Sequence, residues 1–166
     1  MTTITKAMQD AMNEQINKEL FSEYLYLSMA AYFAERNFSG FAHWMSVQAG
    51  EEHEHAMKFY NFILECGGRV TLKAIDAPKT EWPSSLEVAE EVAEHEAKVT
   101  ASIHALYELA MKEKDYPAQV MLQWFITEQV EEEKNAAEMV ANLKLIEERG
   151  TAVLMLDKQL GKRKDE

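Results

Sequence analysis

The sequence predicts an all-α fold: a four-helix bundle with one long crossover between the second and third helices, and a short fifth helix at the C-terminal end. Three observations predict it. Four long stretches place apolar residues at alternating steps of three and four, the spacing of one helix face. Each stretch is bounded by helix-stopping or helix-starting residues: Asn37-Phe38-Ser39-Gly40, Gly67-Gly68, Asp115-Tyr116-Pro117 and Gly150. Residues 67–84 lose that periodicity altogether, and Pro78, Trp82 and Pro83 argue against a continuous helix there.

Thr5 is placed to cap a first helix over residues 5–36, whose stripe runs Met12, Ile16, Glu19, Glu23, Tyr26, Ala30 and Phe33. The short break at 37–40 folds the second helix, 41–66, back antiparallel. Its stripe reads Phe41, Met45, Gln48, Glu52, His55, Phe59, Phe62 and Cys66. Extended, the roughly 18 residues of the crossover reach about 60 Å, against about 40 Å for a helix of about 27 residues. It therefore has the length to cross the bundle and let the third helix run parallel to the second.

Ser85 opens the third helix, 85–114, with Val92, Glu96, Val99, Ile103, Leu106 and Ala110 in line. Proline just after the tight break starts a fourth helix, 117–149, antiparallel to the third. Its stripe is Met121, Phe125, Gln129, Glu132, Ala136, Met139, Leu143 and Ile146. A fifth helix, 151–160, sets Val153, Leu156 and Leu160 on one side, and the tail Lys162-Arg163-Lys164-Asp165-Glu166 is expected to fray.

The 166 residues suit one domain. Seventeen Lys and Arg against 29 Asp and Glu, a formal charge of −12, argue against nucleic acid or an anionic membrane as partner and favour cations. Cys66 is the only cysteine, so no internal disulfide forms. The segment Met1-Thr2-Thr3-Ile4-Thr5-Lys6 lacks the apolar core of a signal peptide, and no apolar run reaches the roughly 20 residues of a membrane span. These features point to a cytoplasmic protein.

The informative pattern is positional. Glu19, Glu52 with His55, Glu96, and Glu132 with Gln129 each fall near the midpoint of a helix, so bundle packing brings them to one level whichever way the helices run. A lone glutamate on a helix is ordinarily solvated. Four at matching depth are a different matter, because four buried charges without partners cost several kcal/mol each. Metal ions resolve the conflict, and oxygen-rich ligation with one nitrogen suits iron, manganese or zinc better than copper(I). A carboxylate set able to bridge suggests two ions. Tyr26, one heptad beyond Glu19, is either a core tyrosine bonded to a ligand or a redox-active residue, with the structural role first. His43, His53, His95 and His104 lie off their helix stripes and are expected at the surface or rim, and the ten methionines are core filler.

Over nearly its whole length the chain resembles the bacterial non-haem ferritins. The resemblance is carried by Asn13-Glu14-Gln15-Ile16-Asn17-Lys18-Glu19-Leu20, by Glu51-Glu52-His53-Glu54-His55, by Leu122-Gln123-Trp124-Phe125, and by Thr127-Glu128-Gln129-Val130-Glu131-Glu132-Glu133-Lys134. It implies that Glu19 and His55 bind one iron, that Glu96 and Glu132 bind a second, and that Glu52 bridges them, with Gln129 alongside. It also implies a third iron position from Glu51, Glu128 and Glu131. A bacterioferritin or rubrerythrin-like bundle carries a second Glu-x-x-His on its fourth helix, where this chain has Gln129-Val130-Glu131-Glu132. His53 stands where bacterioferritins place their haem-ligating methionine, so no haem is expected. The implied activity is a ferroxidase that oxidises Fe(II) with dioxygen or hydrogen peroxide and stores ferric mineral in a hollow homo-oligomeric shell of 24 subunits. The alternative is a soluble di-iron oxidase or peroxidase that stores nothing; a third reading is a structural bundle without metal.

Overall fold

Side-chain caps set where three of the helices start. The Thr5 hydroxyl accepts from the Met8 amide at 3.2 Å, Ser84 from the Glu87 amide and Asp115 from the Ala118 amide. Each satisfies a backbone donor that has no partner inside its own helix. The computed structural model describes residues 3–147 and 149–164. Met1 and Thr2, Glu148 within the expected fourth helix, and Asp165 and Glu166 of the tail lie outside the described residues. The helices are α1 (Lys6–Glu35), α2 (Ser39–Glu65), α3 (Ser85–Glu113), α4 (Tyr116–Ile146) and α5 (Gly150–Leu160). Among the described residues there is no strand, and no helix is long and apolar enough to cross a membrane.

Two boundaries differ from expectation. α2 begins at Ser39, inside the stretch read as a break, because Asn37 makes the reversal with a left-handed φ of 62°. Gly40 serves packing instead: α5 crosses so closely that a Cβ there would overlap the Asp157 carbonyl oxygen. The Asp157 carboxylate accepts from the Phe41 amide at 2.9 Å, so α5 supplies α2 with the cap its own sequence lacks. α4 ends at Ile146 rather than at 149, with Glu147 left-handed at φ 48°. The chain turns there to bring α5 back across the start of α2, and Gly150 becomes the first residue of α5.

The crossover lies along α1 and is held by a polar row at helical spacing. The Arg69 amide donates to Gln9, the Asn13 side chain donates to the Arg69 carbonyl and accepts from the Thr71 amide, and Asn17 donates to the Ala74 carbonyl. Further along, Ser28 donates to the Lys79 carbonyl, Tyr32 to the Trp82 carbonyl, and Arg36 pairs with Glu81. Loop backbone that packs against the bundle must find partners, and α1 provides them. The loop leaves α2 beside Ile4, whose amide donates to the Cys66 carbonyl, and reaches the far end of α1 before α3 starts. α3 therefore runs parallel to α2, as its length allowed.

The core has two apolar halves. One joins Leu25 to Phe33 of α1 with Phe41, Met45, Val88, Val92, Met139 and Leu143, and carries Val153 and Leu156 of α5. The other joins Met8 to Ile16 with Phe59, Ile63, Val99, Ile103, Leu122 and Phe125. On every long helix the residues between the halves are the predicted acids: Glu19, Glu52 with His55, Glu96, and Gln129 with Glu132, all buried.

Candidate metal centre

Ligand atoms of Glu19, Glu52 and His55 lie within 4.8 Å of one another, and so do those of His55, Glu128 and Glu132. His55 belongs to both groups, so the two lie side by side in the layer between the apolar halves. The i, i+3 spacing of Glu52 and His55 puts both on the inner face of α2, with His55 Nδ1 3.4 Å from Glu52 Oε2. Trp124 and Phe125 of α4 stand edge-on to the His55 ring at 5.5 and 5.7 Å between centroids and wall it in.

Glutamines hold the acids in place. Gln15 Nε2 donates to Glu19 Oε1 at 2.7 Å. Gln48 Nε2 donates to both Glu52 Oε1 and Glu132 Oε2, at 2.9 and 3.0 Å, so one amide ties carboxylates of α2 and α4 together. Gln129 Nε2 donates to Glu96 Oε2 at 3.2 Å, and the Tyr26 hydroxyl donates to Glu96 Oε1. Tyr26 is thus bonded to one of the predicted acids. Glu19 Oε2 alone is left: among the described residues it is the buried side-chain oxygen with no hydrogen-bond partner.

Crowding of acids in a dry layer moves their proton equilibria. Burial, then the nearby Glu96 charge, pushes Glu52 up to about 8, and the same two causes push Glu132 up to about 9. Burial and Glu52 raise Glu19 well above the usual carboxylate range. Protons are therefore retained where a cation would otherwise compensate. A cation fits these residues: an orphaned carboxylate oxygen, a neighbouring carboxylate and an imidazole are a hard donor set at one point.

Glu51 and Glu128 are half-buried and Glu131 is exposed; all three line a cavity of about 290 Å³ next to Glu132, between α2, α4 and α5. The position of Glu128 close to His55 makes it nearer to the two-ion layer than the resemblance alone implied. His43, His53 and His104 are exposed as expected, but His95 is half-buried, bonded to Ser22 Oγ at 2.8 Å with its ring edge-on to Tyr26. Burial lowers its proton affinity.

Gln15 stands in a motif and Gln48 in a helix stripe of the sequence without a site role expected of either, although each stands four residues before a buried glutamate, a spacing at which side chains meet. Arg163 was missed as well. The tail was expected to fray, yet Arg163 turns inward: its guanidinium donates to Glu51 Oε2 at 2.6 Å and Gln48 Oε1 at 3.0 Å, and lies 4.4 Å from the Trp44 ring centroid. An arginine whose fork meets two acceptors and an aromatic face is anchored even near a chain end.

A buried layer of carboxylates and one histidine inside four long helices, with a crossover and a fifth helix, defines the class of ferritin-like bundles. A family model described as Ferritin-like domain matches residues 9–146. The chain belongs to the ferritin family. It is 43% identical over 160 residues to a bacterial non-heme ferritin of Bacteroides fragilis (strain 638R), covering 96% of this chain and 99% of that one. It is 36% identical over 160 residues to that of Staphylococcus aureus (strain USA300), covering 96% of each. Among solved structures, an open pore ferritin from the hyperthermophilic archaeon Archaeoglobus fulgidus superposes with a TM-score of 0.96 at 50% identity, covering 98% of this chain and 100% of that one. A closed form of the same archaeal ferritin, engineered by site directed mutagenesis, gives 0.97 at 49%, covering 99% and 100%.

Proposed function

We propose that this chain is an iron-storage ferroxidase whose substrate Fe(II) enters the buried carboxylate layer, is oxidised there in pairs, and passes as Fe(III) to a mineral held inside a shell of 24 copies. The observation that carries the reading is the buried carboxylate of Glu19, set against Glu52 and His55 at metal-ligand separation. In the assignment taken over from the family, Glu19 and His55 hold one ion, Glu96 and Glu132 the other, and Glu52 lies between. Glu51, Glu128 and Glu131 then serve a third ion on the cavity side.

Each part of the site has a chemical task. Anionic oxygen ligands stabilise Fe(III) more than Fe(II), which favours loss of an electron from each ion. Two Fe(II) held together release two electrons to one dioxygen, which with two protons becomes hydrogen peroxide; peroxide itself takes up two electrons and two protons to become water. Carboxyls that retain protons in the metal-free site release them as ions bind. Gln129 and Tyr26 orient Glu96, and Gln15 orients Glu19, as supporting hydrogen bonds do around metal ligands. A reducing cytoplasm, in which Fe(II) and the free thiol of Cys66 persist, is the compartment that suits this chemistry.

Storage also needs assembly, and α5 is built for it. One side docks on the bundle through Val153 and Leu156, while Leu154 and Met155 stand 60% and 71% exposed on the other. Apolar side chains presented together on a docked helix suit a contact between copies. Leu154→Glu with Met155→Glu is expected to leave the bundle folded and rapid oxidation of the first two Fe(II) per chain intact. The large particle, and iron retention with it, is lost. Size-exclusion chromatography combined with iron analysis reads both; a variant that still forms the full shell would remove α5 from the assembly argument.

A further inference from the structure

Arg163 connects the end of the chain to the centre of the bundle through a single side chain. Its Nη2 donates to Glu51 Oε2 at 2.6 Å, and its Nη1 donates to Gln48 Oε1 at 3.0 Å. The Gln48 amide in turn gives both protons to the layer, one to Glu52 and one to Glu132. Arg163 thereby fixes which way the amide faces: carbonyl toward the cavity, nitrogen toward the carboxylates. Stacking on Trp44, and a bond between the His43 ring and the Arg163 carbonyl at 2.7 Å, hold the guanidinium at the cavity wall. Glu128, Glu131 and Glu132 face the same cavity.

We propose that Arg163 is a positioning residue for iron passage: its guanidinium is a tethered cation that holds the place of a metal ion between Glu51 and Gln48, and an arriving ion displaces it. The proposal rests on the two-ion reading of the layer, and adds to it a competition within the same chain. While the guanidinium is seated, Glu51 is neutralised and Gln48 is locked onto Glu52 and Glu132. When it leaves, Glu51 turns to the ion and the Gln48 amide is released, which loosens the carboxylates that hold the oxidised pair. The tail thus makes occupancy of the outer position depend on iron supply. A positive charge at this wall also repels cations when the position is not needed, whereas a neutral residue would leave the acids open.

The test is anaerobic titration of the assembled, metal-free protein with Fe(II), followed by calorimetry, with shell size and melting temperature checked for each variant. Two tight ions and one weaker ion per chain are expected in the wild type. Arg163→Gln is expected to tighten the third ion about tenfold, the scale of a partly buried charge-assisted contact, with the first two ions still tight but held slightly less strongly because the Gln48 amide is no longer locked. Arg163→Lys, which keeps the charge, returns the third ion toward its wild-type affinity. Glu51→Gln removes the third ion and makes the protein insensitive to Arg163→Gln. An anchor that only tethers the tail would not distinguish glutamine from lysine by charge. Unchanged third-ion affinity in Arg163→Gln, with two tight ions retained, overturns the role of Arg163 alone. Absence of tight binding in the wild type overturns the reading of the layer, and the role of Arg163 with it.

Discussion

Replacing Glu52 by alanine is expected to reduce the initial rate of Fe(II) oxidation by at least about 100-fold. Loss of a supporting hydrogen bond around a metal site already costs about 10- to 100-fold, and Glu52 is assigned to contact both ions directly. Its carboxylate lies against Glu19 and His55 and shares the Gln48 amide with Glu132, which sets it between the groups. The fold is expected to survive, because removing a buried carboxyl that resists ionisation relieves a desolvation cost and offsets part of the cavity left behind. Oxidation followed at two Fe(II) per chain, alongside a thermal melt, separates the two effects. A rate within threefold of wild type would sink the assignment of Glu52.

The metal-free protein is expected to lose stability as pH rises from about 5 to 9, and the zinc-loaded protein to gain it. Glu52 and Glu132 ionise near 8 and 9 in the fold, against an ordinary value of 4.5. Between those limits the folded state holds protons that the unfolded chain has released. Stability contributed by the protonated carboxyls is fully present below pH 4.5 and is lost as pH rises through the folded-state values, by several kcal/mol in total. Zinc, which does not change oxidation state, competes with those protons and stabilises more strongly as pH rises. Melting temperatures with and without zinc at pH 5.5 and pH 8.5 give the sign, these pH values being roughly either side of neutrality. Glu19→Gln, Glu52→Gln and Glu132→Gln combined are expected to flatten the metal-free slope, since all three carboxyls are raised in the fold; a slope that persists in that variant would place its origin elsewhere.

The level of the buried acids was legible because helix spacing is a strict geometric rule. Glu19, Glu52, Glu96 and Glu132 each interrupt an apolar stripe, and the two apolar halves of the core close on them from both ends. The crossover was legible from lost periodicity and proline, but not its path. That path depends on the row from Gln9 through Asn13 and Asn17 to Tyr32 and Arg36, whose polar side chains read like an ordinary solvated face until the loop is laid on them. Gly40 read as a helix break for a similar reason. Its true task, letting α5 pass, involves Asp157, more than a hundred residues away, and no local pattern reports such a contact.

Arg163 shows the limit most clearly. A basic residue in a charged C-terminal run has every local mark of a solvated tail, and its partners Trp44, Gln48 and Glu51 lie on a helix that only the turn before α5 brings within reach. Gln15 and Gln48 fall between these cases: the four-residue step to Glu19 and Glu52 was visible, whereas the pairing of Gln48 with Glu132 across to α4 was not.

The most direct test of iron storage is aerobic loading with a large excess of Fe(II), followed by size-exclusion chromatography that tracks protein and iron together. Iron co-eluting with one very large particle, far beyond the two or three ions per chain that these side chains can ligate, is the expected result. Iron held at two or three ions per chain on a monomer or dimer would contradict storage and leave a di-iron oxidase in its place.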